Sequence, residues 1–199
     1  MDLIERLDAA RERWNVLRHP FYTRWERGEL TRSELAAYAG EYRHAVVALA
    51  DASRTAAPLT GYGHAAEEAA HVTLWDAFAH ALDADLDRAP NDETRACADA
   101  WRGSGDALEA TAVLYAVEAG QPAISRTKLT GLVEHYGFSA EGPATSYFAL
   151  HAERDVEHAA EARELLERHA EPEDAERLVA AAEAALEGNW TLLDGVTTR

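Results

Sequence analysis

Apolar residues return every three or four positions along almost the whole chain, and β-branched runs that alternate with polar residues are missing. That period gathers the apolar side chains on one face of a helix and predicts an all-α protein. Asp2 is a good N-cap for a first helix reaching about Arg18, with Leu3, Leu7, Ala10, Trp14 and Leu17 as its buried stripe. Pro20 interrupts the pattern and leaves His19-Pro-Phe-Tyr-Thr-Arg-Trp25 as a short aromatic helix or turn, ended by Gly28. Thr31-Arg-Ser-Glu34 reads as a capping box, opening a long helix through Leu35, Tyr38, Tyr42, Val46 and Leu49 to about Ala56. Pro58 and Gly61-Tyr-Gly63 separate it from a helix between His64 and Leu82. Further helices are predicted over 92–102 and 106–120. Pro122 deprives the Glu118 carbonyl of its regular amide partner, so the chain should kink or restart there. Beyond the turn at Tyr136-Gly-Phe-Ser139, helices from Pro143 to His169 and from Pro172 to Leu193 complete the pattern.

With 199 residues, 47% of them hydrophobic, the chain can bury one sizeable core, and a single domain over 1–199 is expected. Asp and Glu number 36 against 19 Lys and Arg, a formal net charge of -17 spread over many segments. That balance argues against nucleic acid and anionic membranes as partners. The single cysteine, Cys97, excludes an internal disulfide and any multi-cysteine zinc site. No run approaches 18 apolar residues, and the start lacks the basic and apolar regions of a secretory leader. A soluble, cytoplasmic protein is the expectation.

The chemistry concentrates in His151-Ala-Glu-Arg-Asp155-Val-Glu-His158, where offsets of four and seven return His151, Asp155 and His158 to one helical face. Pointing inward, that face binds a metal; pointing outward, it is an ordinary polar surface. His64, Glu68 and His71 repeat the His, acid, His pattern at the same offsets in another helix. Glu118 lies in the apolar run Ala112-Val-Leu-Tyr-Ala-Val-Glu118, where a lone carboxylate is expensive to bury without a cation, or else marks a surface helix end. Helical bundles build two-metal carboxylate sites from such Glu and Glu-x-x-His parts. Three carboxylates with three imidazoles suit iron or manganese, and iron with open positions implies oxygen activation.

Several motifs, in order, resemble the haem-oxygenase-like dimetal oxidases and oxygenases. They are His19-Pro-Phe-Tyr-Thr-Arg-Trp25, Gly28-Glu-Leu-Thr31 with Tyr38 and Tyr42, His71-x-x-Leu74-Trp75-x-x-Phe78, Glu118 followed by Pro122, Lys128-x-x-Gly131-Leu132, and Tyr147-Phe-x-x-His151 through His158. Within that superfamily the chain is most similar to the chlamydial-type self-sacrificing 4-aminobenzoate synthases. The resemblance implies a seven-helix haem-oxygenase-like bundle, of the fold of the PQQ-synthesis oxidase and the TenA thiaminases. It implies His71, Glu118, His151, Asp155 and His158 as ligands of two metal ions, Fe(II) at both or manganese at one, with O2 as co-substrate. Glu68 is the sixth ligand by analogy with some members, with Glu67 and His64 as competitors. In the synthases a tyrosine supplies the aromatic ring and a lysine the amino group; the matching positions are Tyr22 and Lys128, the latter the only lysine in the chain. Val117 departs from the tyrosine those synthases carry beside the ligand glutamate. The implied partners are a small-molecule or self-derived substrate and an external reductant, and a homodimer is possible. The competing readings are a metal-free oxidase or ligand-binding protein of the same fold and a bundle with solvated histidines. Thiaminase chemistry needs a cysteine nucleophile, and Cys97 matches none of the motifs.

Overall fold

Side-chain caps start the first helix and the long helix after Thr31 where the sequence placed them. Asp2 and Thr31 both form capping boxes, with Glu5 and Glu34 returning the bond to the cap residue. The structure, a computed structural model, describes residues 1–197. These residues form helices α1 (Leu3–Arg13), α2 (Pro20–Glu26), α3 (Arg32–Thr60), α4 (Tyr62–Ala81), α5 (Asp92–Arg102), α6 (Ala107–Glu118), α7 (Gln121–Glu134), α8 (Ser146–His169) and α9 (Ala175–Thr197), with no strand among them. Setting aside the seven-residue α2 and counting α6 and α7 as one interrupted rod leaves seven principal helices. No helix among the described residues is long and apolar enough to cross a membrane.

The boundaries shift for local reasons. α1 stops at Arg13 because the Asn15 side chain accepts the Leu17 amide and opens a short 3-10 turn over Val16–Arg18. His19 then caps α2 through its ring nitrogen Nδ1, which accepts the Phe21 amide at 3.0 Å. α3 continues through Pro58 to Thr60. The carbonyl that Pro58 leaves without an amide belongs to exposed Arg54, where water can serve it. α8 begins at Ser146 instead of Pro143, because the Thr145 hydroxyl donates to Ser139 O at 2.7 Å and holds the preceding turn closed.

α6 is the central helix. Every residue from Ala110 to Glu118 is buried, and it packs against α3, α8 and α9. A helix apolar on all sides has to be enclosed. One flank of the core is aromatic: Phe21, Tyr22 and Trp25 of α2 meet Tyr38 and Tyr42 of α3, Trp75 and Phe78 of α4, and Phe148 of α8. Trp25 Nε1 donates to Lys128 O at 3.1 Å, which fixes α7 against α2. The indole needs Gly131 to come that close, since a Cβ there would sit 2.6 Å from Trp25 Cδ1. Gly131→Ala should therefore destabilise the fold by about 2–3 kcal/mol. Chemical denaturation would check this, and a loss under about 0.5 kcal/mol would mean that α2 shifts freely.

Candidate metal centre

Three helices bring the polar residues of the core together. His64, Glu68 and His71 recur along α4, His151, Asp155 and His158 along α8, and Glu118 is the last residue of α6. All seven are buried, at 9% exposure or less, although none is apolar. His71 Nδ1 lies 2.9 Å from Glu68 Oε1, and His64 Nε2 lies 3.4 Å from Glu118 Oε1 and 3.9 Å from Glu68 Oε1. His158 Nδ1 lies 3.9 Å from Glu68 Oε1 and 3.7 Å from Asp155 Oδ1. One ligand atom each from His64, Glu68, Glu118 and His158 fall within 4.8 Å of one another, and so do those of Glu68, His71 and His151. Glu68 belongs to both groups. Asp155 flanks the first group through its contact with His158.

Close approach here does not mean hydrogen bonding. Eighteen buried side-chain nitrogen and oxygen atoms among the described residues lack a partner with hydrogen-bond geometry, and nine of them come from these seven residues. The nine are Nε2 of His64 and His151, Nδ1 of His71 and His158, Glu68 Oε1, and both oxygens of Glu118 and Asp155. Leaving so many buried polar atoms unsatisfied is costly, and all of them belong to the two groups or, for Asp155, to their flank. Divalent cations would answer all of them at once. The donors are carboxylate oxygen and imidazole nitrogen without sulfur, which fits iron or manganese.

The electrostatics agree. Burial, reinforced by Glu118 and Glu68, pushes the Asp155 carboxyl up to about 9. Burial also lifts Glu118 to about 7, against the pull of His64 and with help from the like charge of Glu68. Burial would raise Glu68 too, but His71, with His151 and His64, outweighs it and holds that carboxyl below its ordinary value. On the imidazole side, burial and neighbouring His71 take His151 down to about 4, and burial followed by His64 lowers His158. Two carboxyls, Glu118 and Asp155, resist ionising in a dry space beside the Glu68 anion, and two neutral imidazoles offer lone pairs. That combination invites cations.

The tautomer of His151 follows from its neighbour. Its Nδ1 lies 2.7 Å from Tyr147 O, and a carbonyl can only accept, so Nδ1 carries the proton and Nε2 keeps its lone pair for the cluster. The Tyr147 ring also stacks on the imidazole at 3.9 Å between centroids. Glu67, one residue before Glu68, turns outward: it is about half exposed and pairs with Arg154 at 3.3 Å. Of the competitors for the sixth ligand, His64 and Glu68 both turn an atom into the cluster, whereas Glu67 meets only the outer nitrogen of His158. The repeated offsets of four and seven put His64 on the same helical face as Glu68. A surface groove of about 620 Å³ between α4 and α8, with Leu74 and Leu150 in its walls, reaches His71.

Tyr22 and Lys128 lie deeper in the aromatic core, and both are at most 1% exposed. Tyr22 shares a 2.8 Å hydroxyl contact with Tyr38. The Lys128 Nζ stands 4.7 Å from the Tyr42 ring centroid and 5.2 Å from that of Tyr22, with Trp75 and Phe148 within 6 Å. Burial alone takes its amine down to about 7. Cys97, packed against Gly188, is buried on α5 with its thiol pushed up by burial, so no reactive thiolate stands there.

Residues 61–190, which include the whole seven-residue cluster, match the family described as iron-containing redox enzymes of the haem-oxygenase-like type. The chain belongs to that family. Its curated relatives include a 4-aminobenzoate synthase of Chlamydia muridarum, 32% identical over an alignment covering 98% of this chain and 89% of the relative. Another 4-aminobenzoate synthase, of Nitrosomonas europaea, is 28% identical over 96% of this chain and 89% of its own. Among solved structures, a TenA homologue from Pseudomonas syringae superimposes with a TM-score of 0.83 at 18% identity, covering 99% of this chain and 91% of that one. A haem-oxygenase-like domain from Shewanella denitrificans gives 0.82 at 19% identity, over 100% and 93% of the two chains. At those identities the structural matches establish the fold. The family thus has the haem-oxygenase-like all-α bundle that the motifs implied.

Proposed function

We propose that this chain is a dimetal oxidoreductase that consumes O2, with two iron ions, or one iron and one manganese, held by Glu68, His71, Glu118, His151, Asp155 and His158 together with His64. The observation that carries this reading is the set of nine unpartnered buried atoms gathered between α4, α6 and α8. When bound, the ions supply oxygen activation and one-electron oxidation. The chain supplies the rest. Glu68 would serve both positions, His151 would present Nε2 because Tyr147 O holds its other nitrogen, and the surrounding helices bury the cluster.

The relatives' name suggests a product. Making 4-aminobenzoate from the protein itself calls for a phenol ring and an amine in one dry compartment, and Tyr22 and Lys128 meet there. An amine titrating near 7 is largely uncharged and nucleophilic at slightly alkaline pH. Its protonated form would rest against aromatic faces. The groove reaching His71 favours a second reading, an external substrate entering between α4 and α8.

Anaerobic loading with Fe(II), then O2 and a reductant, followed by intact-mass and small-molecule analysis, separates these readings. Self-sacrifice predicts a mass loss at Tyr22 or Lys128 and 4-aminobenzoate in the filtrate. Tyr22→Phe and Lys128→Met should abolish the product while leaving iron content unchanged. Oxygen uptake with an unchanged chain would shift the reading to an external substrate. Metal below about half an equivalent, with no uptake, would overturn the dimetal reading altogether.

A further inference from the structure

Glu67 has no place among the inward atoms, yet it touches the cluster from behind. Its Oε2 lies 3.3 Å from His158 Nε2, while the other ring nitrogen, Nδ1, faces Glu68 Oε1 and Asp155 Oδ1 on the inner side. The His158 ring therefore stands between an outer carboxylate and an inner pair. Arg154, one turn before His158 on α8, grips both oxygens of Glu67 at 3.3 Å and also pairs with Glu157. The same helix thus supplies the imidazole and the clamp that sets Glu67 behind it.

From this arrangement we infer that Glu67 is a positioning residue for His158: it accepts the Nε2 proton and so commits the Nδ1 lone pair to the metal centre. The inference rests on the metal reading above. A neutral imidazole has one N–H. If Nδ1 held it, a lone pair would face the Glu67 carboxylate across 3.3 Å, which is repulsive; if Nε2 holds it, the ring turns its N–H side toward the carboxylate, and Nδ1 is free to ligate. A carboxylate behind a ligating histidine fixes its tautomer and orientation and makes it a stronger donor. Tyr147 O does the first of these for His151. The two histidines that share α8 are then backed by unlike groups, an uncharged carbonyl for His151 and an anion for His158. Glu67 and Glu68, adjacent in sequence and about 100° apart around α4, divide the work of backing and ligating.

Zn(II) is the probe, because it binds such donors without redox chemistry. Nitrogen-15 NMR of the Zn(II)-loaded protein should find His158 protonated at Nε2, and competition with a chelating dye gives the affinities. Glu67→Ala should weaken one bound Zn(II) by about 10–100-fold and leave the fold intact. Glu67→Gln, which keeps an acceptor oxygen, should recover most of that affinity and the Nε2–H tautomer. Arg154→Ala, which frees Glu67, should fall between wild type and Glu67→Ala. A wild-type His158 protonated at Nδ1, or unchanged Zn(II) affinity in Glu67→Ala, would overturn the role of Glu67 alone. A wild-type protein that takes up no Zn(II) would overturn the metal reading along with it.

Discussion

Asp155→Asn is expected to stabilise the metal-free protein and destabilise the metal-loaded one. The Asp155 carboxyl rises from its ordinary 3.8 to about 9 because it is buried beside Glu118 and Glu68. An acid raised on folding has its full stability below its unfolded pKa and loses it as pH climbs toward the folded value. Between pH 4 and 9 the metal-free native state therefore carries a growing penalty at this position. Asparagine has nearly the same shape and no proton to bind, so it removes that penalty. At pH 8 we expect a gain of about 2–4 kcal/mol, which for a domain of this size is roughly 5–10 °C in Tm. In the loaded protein the same change would delete a proposed ligand, and with it about 3–4 kcal/mol of linkage stabilisation at saturating metal. Urea unfolding with chelator and with anaerobic Fe(II) reads both signs. A variant weaker than wild type in both states would mean that Asp155 is held by something other than cation demand.

The largest loss of function should come from Glu68→Gln. Glu68 is the one carboxylate common to both ligand groups, so its removal weakens both metal positions, whereas loss of His71 or His151 touches one. Bound iron should fall from about two equivalents to under half, and oxygen consumption by at least about 100-fold, reflecting several kcal/mol of metal-derived stabilisation. Glu67→Gln, one residue away, should keep both irons. Metal analysis of the two variants side by side makes the contrast. Retention of two irons by Glu68→Gln would assign that shared role elsewhere in the cluster.

Much of this was legible in the chain itself. Helical periodicity, caps and breakers act within a few residues, so α3, α4, α5, α6 and α8 could be located from their own sequences, and Pro122 announced the break between α6 and α7. The offsets of four and seven put His64, Glu68 and His71 on one face and His151, Asp155 and His158 on another, because a helix repeats every 3.6 residues whatever surrounds it. Lys128 was singled out by the resemblance to the synthases, and it is the only lysine in the chain.

Which way those faces point is a different kind of fact. A polar stripe is equally compatible with solvent and with a shared interior, and only the packing of α4, α6 and α8 buries all seven residues and leaves nine of their atoms without partners. Glu67 and Glu68 show the limit most clearly. Both are glutamates on one helix, and about 100° of rotation relative to α8 sends one into the cluster and the other to the back of His158. The sequence determined the helices and the residues each could offer; the tertiary structure decided which of them meet, because such a cluster is made of distances between helices far apart along the chain.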